Sequence, residues 1–229
     1  MSALIFIDAR MRSDDAVLKS RAGETPLAAV ALGRREQNKL DKRARIIAAA
    51  RDLFTRKGFE GTTSQEIADA AGVAGGTVFT YARTKDDLLI LVFHDEMLDV
   101  VERAYVDAQD ASQLLDQVIA FFGTLVAYHE RDLPLARTLM RQLGYVGASE
   151  QRALVRELMR GLLGRLAFLL DAAQAKGGVA AATPLMPAAR SLFAIYYFHL
   201  GGLLSGYLDR PRFDRALRTD LGLFLRGLA

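Results

Sequence analysis

Along residues 39–57 the apolar side chains Ile46, Ala50, Leu53 and Phe54 recur at i, i+4, i+7 and i+8, the spacing of one helix face. Gly58 follows as a C-terminal cap. In "TSQE", Thr63 precedes Glu66 by three residues, the capping-box spacing, so a second helix opens there, and Gly72 stops it early. A third, short helix is predicted from Gly75 to about Ala82. "TKDD" opens a fourth, with Thr84 as N-cap and Asp86 and Asp87 in the first turn, where carboxylates suit the helix dipole. Longer helices follow over 85–108, 112–130, 133–143, 149–175, 187–208 and 212–227, with Pro134, Pro187 and Pro211 at or near their starts. Residues 1–36 keep no period and read as a flexible extension, with a short helix near "PLAAVAL". No stretch alternates as a strand does. The prediction is an all-α protein of about nine helices. Its division is an extension over 1–36, a three-helix unit over 37–84 and a larger helical unit over 85–229.

Composition removes several alternatives. There is no cysteine, so disulfides, thiolate catalysis and cysteine metal sites are excluded. His94, His129 and His199 stand singly without ligand spacing, so no metal is expected. No nucleophile elbow or phosphate loop is present, which leaves an enzyme reading without support and implies no cofactor. Residues 191–208 run without a formal charge, at the lower edge of a membrane span. Glycines and serine crowd the end of that run, and no basic loops frame it, so a buried helix is the better reading. "LIFI" at 4–7 is too short for a signal peptide, and a cytoplasmic protein is expected.

Charge singles out one region. The net charge is only +3, yet Arg34, Arg35, Lys39, Lys42, Arg43 and Arg45 crowd one stretch against Glu36 and Asp41. Such a cluster draws phosphate backbones or anionic membrane, or is simply a solvated flank; its neighbour decides. In that neighbour, Ile67, Ala68, Val73 and Val78 are spaced to let two short helices share a small core, and Gly72 permits a left-handed turn between them. This is the helix-turn-helix pattern, whose second helix enters the DNA major groove. Gly75 and Gly76 clear side chains from the start of that helix, so its backbone can come close to DNA. Thr77, Thr80 and Tyr81 are expected on its outer face, where a threonine methyl can meet a thymine methyl.

Residues 41–93 resemble the DNA-binding domain of the TetR (tetracycline-repressor) family of bacterial transcription regulators. The matching stretches are "RIIAAARDLFTRKGFEGTTSQEIADAAGV", "GTVFTYA" and "TKDDLL". The resemblance implies a homodimeric repressor on double-stranded DNA, released from a palindromic operator by a small, largely apolar effector. A DNA-binding adaptor with the same head and no effector is the alternative. By resemblance Tyr81 and Lys85 contact phosphate; Tyr81 could equally just pack beneath the third helix. A cation in a first turn opposes the dipole, which points Lys85 to a partner outside the protein. Thr63, Ser64, Arg43 and Arg45 complete the expected DNA-binding set with Gly75, Gly76, Thr77 and Thr80. The chain departs from the family pattern at Ala74, where a capping serine or threonine is usual. Phe79 replaces a tyrosine and Ala82 a phenylalanine, removing a phosphate contact and a core ring.

For residues 95–229 the resemblance implies a regulatory domain that dimerises through its last two helices. "GGLLSG" pairs Gly201 with Ser205 and Gly202 with Gly206, four apart, a spacing that lets helices approach closely. Gly202, Leu203, Ser205 and Gly206 are thus the candidate dimer contacts. Phe121, Phe122, Tyr128, His129, Tyr196, Tyr197 and His199 mix rings with polar tips. They line an effector pocket or form an ordinary aromatic core, and the sequence leaves both open.

Overall fold

The computed structural model describes residues 33–143 and 150–228. Among the described residues the fold is all-helical, as expected: α1 Arg34–Lys57, α2 Ser64–Ala71, α3 Gly75–Val78, α4 Lys85–Ala108, α5 Leu114–Glu130, α6 Leu133–Leu143, α7 Glu150–Ala175, α8 Leu185–Leu204 and α9 Arg210–Arg226. Most of the predicted extension, with its short helix, lies outside the described residues.

Three predicted boundaries are corrected. Helix α1 starts at Arg34, inside the stretch read as extension and ahead of Lys39. Its first turns are exposed on every side, so no apolar face marks them. The backbone makes the start instead, the Gly33 carbonyl accepting from the amides of Glu36 at 2.9 Å and Gln37 at 3.1 Å. Helix α3 ends at Val78 rather than near Ala82. Two glycines and an Ala74 without a capping oxygen weaken it, and the chain continues as tight turns, with Tyr81 N–H on the Val78 carbonyl at 3.0 Å.

The third correction is the end of the helix predicted over 187–208. Helix α8 stops at Leu204, Ser205 is its C-cap, and Gly206 turns the chain at φ 80. Leu208 folds back so that its N–H reaches the Gly202 carbonyl at 3.0 Å. A Cβ on Gly202 would lie 2.9 Å from Leu208 Cδ1. Gly202 thus lies under Leu208 of its own chain, and Ser205 and Gly206 belong to the turn that follows the helix.

Helix α4 organises the rest. Residues 88–94 are all buried, whereas beyond His94 burial narrows to the face of Met97, Val100, Val101, Ala104 and Ala108. A helix apolar all round is one enclosed all round. Its first half is held between α1 and the bundle, and its second half packs on α5 and α7. Two ion pairs fasten it to α1: Arg43 meets Asp95 with both nitrogens at 2.5 and 2.7 Å, and Arg51 meets Glu96 at 3.1 Å. Among the described residues no helix is long and apolar enough to cross a membrane; α8, which contains most of the uncharged run, packs on α7 and α9.

Candidate nucleic-acid interface and effector region

The small core beneath the head is made of Ile46, Ala50 and Phe54 of α1, Ile67 and Ala68 of α2, and Val78, all buried. It fixes α3 across α2. The start of α2 is held by a full capping box: Thr63 Oγ1 accepts from the Glu66 amide at 3.2 Å, and Glu66 accepts from the Thr63 amide at 2.9 Å. Lys57 bonds the same Glu66 carboxylate, and these contacts hold its pKa down to about 2. At the other end Gly72 adopts φ 63, ψ 43, a left-handed cap that a side chain would strain. Arg45 extends its guanidinium over this turn, 3.6 Å from where a Gly72 Cβ would stand.

The two glycines of α3 have different duties. A Cβ on Gly75 would meet Gln65 Oε1 at 2.8 Å, so Gly75 accommodates α2, whereas Gly76 faces open space. Thr80 is exposed, and its hydroxyl donates to the Thr77 carbonyl at 2.7 Å. Tyr81 is half-buried against the core and donates to the Lys39 carbonyl of α1 at 3.1 Å. Thr77, Thr80 and Tyr81 share one groove with Arg34, Arg35, Lys39 and Lys42. The sequence cluster and the helix-turn-helix therefore meet on one surface.

Other site residues sit differently. Arg43, grouped with the phosphate contacts, is the half-buried bidentate partner of Asp95. Lys85 was expected to want an outside partner, but its ammonium lies 4.5 Å from the Phe59 ring centroid and 3.3 Å from the Glu60 carbonyl. Thr63 is engaged by its cap, and Ser64 is half-exposed beside it. Phe79, noted in the sequence only as the loss of a tyrosine's phosphate contact, is 54% exposed at the end of α3. Sequence reasoning passed over the Arg51–Glu96 joint, which no local motif marks.

The seven candidate pocket residues do not surround one space. Phe121 and Phe122 are fully enclosed, and Phe122 stacks on Tyr196 at 4.5 Å with 4° between the rings. The Tyr196 hydroxyl is buried without a hydrogen-bond partner, and burial pushes its pKa up. Tyr197 is half-buried beside Phe193. His199 points to Asp220 at 2.9 Å. Tyr128 and His129 alone border a cavity of about 20 Å³ between α1, α4, α5 and α6, with Arg51, Phe93, Asp132 and Leu139. That is room on the order of one water. Tyr128 donates to Glu96 at 2.6 Å, which links the cavity to the Arg51 ion pair. His129 stacks on Phe93 at 6.0 Å, its Nδ1 has no partner, and burial holds its pKa down to about 4.

Comparison with known proteins follows the same division. Residues 46–92 match the family of bacterial regulatory proteins, tetR family. Over 137 residues the chain is 29% identical to the fatty acid metabolism regulator protein of Bacillus subtilis (strain 168), covering 58% of this chain and 69% of that one. A Thermus thermophilus FadR, a TetR-family transcriptional repressor solved with lauroyl-CoA, superposes with a TM-score of 0.65 at 23% identity, over 82% of this chain and 95% of that one. The FadR regulator from Bacillus subtilis, solved with stearoyl-CoA, gives 0.62 at 20% identity, over 81% and 99%.

Proposed function

The chain belongs to the TetR family of DNA-binding transcription regulators, and from that premise we propose a cytoplasmic, non-enzymatic homodimeric repressor that leaves a palindromic operator when an acyl-CoA binds. The observation that carries this reading is the groove in which Arg34, Arg35, Lys39 and Lys42 face Thr77, Thr80 and Tyr81. Residues 37–84, with the first turn of α1, form the reading unit, and residues 85–229 form the regulatory unit. The four basic side chains neutralise phosphates, joined by Ser64, Arg45 and a Lys85 that keeps donor capacity beyond Glu60. Arg43 holds the head on α4 instead.

Dimerisation uses exposed apolar side chains of α8 and α9 together with the segment Gly202, Leu203, Ser205 and Gly206. Phe198, Tyr207 and Leu223 are 74%, 82% and 58% exposed on α8, its following turn and α9, an apolar surface that a second copy covers. Two heads then address half-sites about 34–36 Å apart.

The effector follows from the body's chemistry together with the acyl-CoAs bound by the two regulators of like fold. Phe93, Phe122 and Tyr196 offer an apolar interior, and the Tyr196 hydroxyl and His129 Nδ1 offer polar atoms without partners. The cavity beside Tyr128 and His129 has only about 20 Å³, so an acyl chain enters there only in a body in which α4 has shifted. Burying about ten methylenes at about 0.8 kcal/mol each gives roughly 8 kcal/mol towards opening. A ligand that prefers the shifted state is what release requires. The same tight packing favours the second reading, an adaptor with no effector.

The test uses the full chain and a duplex enriched from a random library. Lauroyl-CoA and stearoyl-CoA should each weaken binding at least tenfold, about 1.4 kcal/mol, while free CoA and laurate do not. Tyr196→Phe should keep operator affinity and blunt that release. Tight binding indifferent to every acyl-CoA leaves the adaptor standing and ends the effector reading.

A further inference from the structure

The segment from Ala74 to Ala82 reads Ala, Gly, Gly, Thr, Val, Phe, Thr, Tyr, Ala. It holds no arginine, lysine, asparagine or glutamine, the side chains that read guanine or adenine edges by paired hydrogen bonds. Two of its three hydroxyls already direct their protons inward, Thr80 to the Thr77 carbonyl and Tyr81 to the Lys39 carbonyl. The third hydroxyl is on the half-exposed Thr77, and the rest of what the segment presents outward is apolar. Phe79 is 54% exposed, and the Thr80 side chain beside it is exposed as well.

The surroundings of Phe79 favour close approach. Helical side chains lean back towards the residues three and four positions earlier. For Phe79 those are Gly76, which borders open space, and Gly75, which the Gln65 side chain covers. The basic rim of Arg34, Arg35, Lys39 and Lys42 lies along the same head. Thr80, the next residue after Phe79, lines that groove, so phosphates held there bring base edges to this end of α3. A phenyl ring has no donor or acceptor with which to read those edges. Among the four bases only thymine presents an apolar group in the major groove, its C5-methyl.

We propose that Phe79 is a specificity-determining residue that selects thymine through its 5-methyl group, with the Thr80 methyl beside it. This rests on the DNA-binding reading and adds to it a chemical class of half-site. The tyrosine usual at this position brings a hydroxyl; the phenylalanine here removes it and leaves a purely apolar reader.

The probe is a duplex enriched by the full-length chain from a random library, resynthesised with 2′-deoxyuridine at one thymidine at a time. Uracil pairs as thymine does and lacks only the methyl. The wild type should lose about fourfold in affinity at one or two positions per half-site, the worth of one buried methyl group. Phe79→Ala should bind the thymine duplex more weakly and be indifferent to uracil at those positions. Phe79→Leu, which keeps an apolar side chain, should retain part of the uracil penalty. Because Phe79 is exposed, both variants should melt with the wild type. If Phe79→Ala shows the wild-type uracil penalty, or the wild type ignores uracil throughout, the methyl reader is wrong while DNA binding stands. If the wild type enriches no duplex, the DNA-binding reading itself falls.

Discussion

The head and the body of this chain treat buried polar atoms differently. In the head, the buried Thr62 bonds the carbonyls of Leu53 and Gly58 at 3.2 and 2.8 Å. Among the described residues, buried side-chain polar atoms without a hydrogen-bond partner are on His129, Tyr196 and His199, in α5 and α8, while His94 Nε2 of α4 faces the Glu157 carboxylate at 3.5 Å. Each unpartnered atom costs about 1–3 kcal/mol. A reading surface has to hold one geometry, and its short-range bonds do that. A body that receives a ligand can carry polar atoms that wait for one. The two regions are nevertheless joined, because Arg51 touches both the cavity and the Glu96 link.

The largest way to break the contrast is to empty the small core. Phe54→Ala removes a fully buried ring, and such truncations cost about 3–5 kcal/mol. Operator binding should vanish, and hydrogen exchange should show α1–α3 losing protection while α7–α9 keep theirs. Simultaneous loss of protection in both regions would make head and body one cooperative unit and void the comparison.

What the sequence made legible follows the same line. Thr63 with Glu66, Gly72, and Thr84 with Asp87 are short-range devices, and the structure uses each where the spacing put it. Helix α4 ran from Lys85 to Ala108 as its pattern predicted, because caps and periodicity agreed. The first turns of α1 were missed because a helix exposed on all sides carries no periodic signal. The end of α8 was placed too late because the Gly202–Gly206 spacing assumes a continuing helix, whereas the chain turns at Gly206 and Leu208 packs back on Gly202. Arg43 looked like one more surface cation; only the register of α1 on α4 reveals Asp95 opposite it. The aromatic residues of the body defied separation into pocket and core because that distinction lies in three-dimensional voids.

The next effect in size is a pH dependence located in the body. Burial holds the His129 pKa down to about 4 against an ordinary 6.5. Between those values the unfolded chain takes up a proton that the fold refuses, so stability falls as pH drops through this window and levels off below it. The full loss is roughly 3 kcal/mol. Arg51, Tyr128 and Asp132 border the same cavity, so the ring is not alone there. His129→Phe should flatten the slope in urea denaturation between pH 7 and 4.5, above the range in which Glu66 titrates. A slope unchanged in the variant would mean that His129 is not what the acid destabilises.

The smallest effect compares one device in both places. Thr63 caps α2 in the head and Thr84 caps α4, each with its third helical residue returning the bond, Glu66 in one and Asp87 in the other. Replacing either threonine by alanine removes an acceptor from a helix start, which costs about 1 kcal/mol. The two losses should be equal within error by denaturation, since the chemistry is the same. Their consequences should differ. Helix α2 has only eight residues and rests on a small core, so Thr63→Ala should speed exchange of α2 amides throughout and loosen operator binding. Helix α4 has twenty-four residues and is enclosed over residues 88–94, so Thr84→Ala should fray only its first turn. Equal exchange changes along both helices would mean that packing, and not the cap, sets local order in the head as it does in the body.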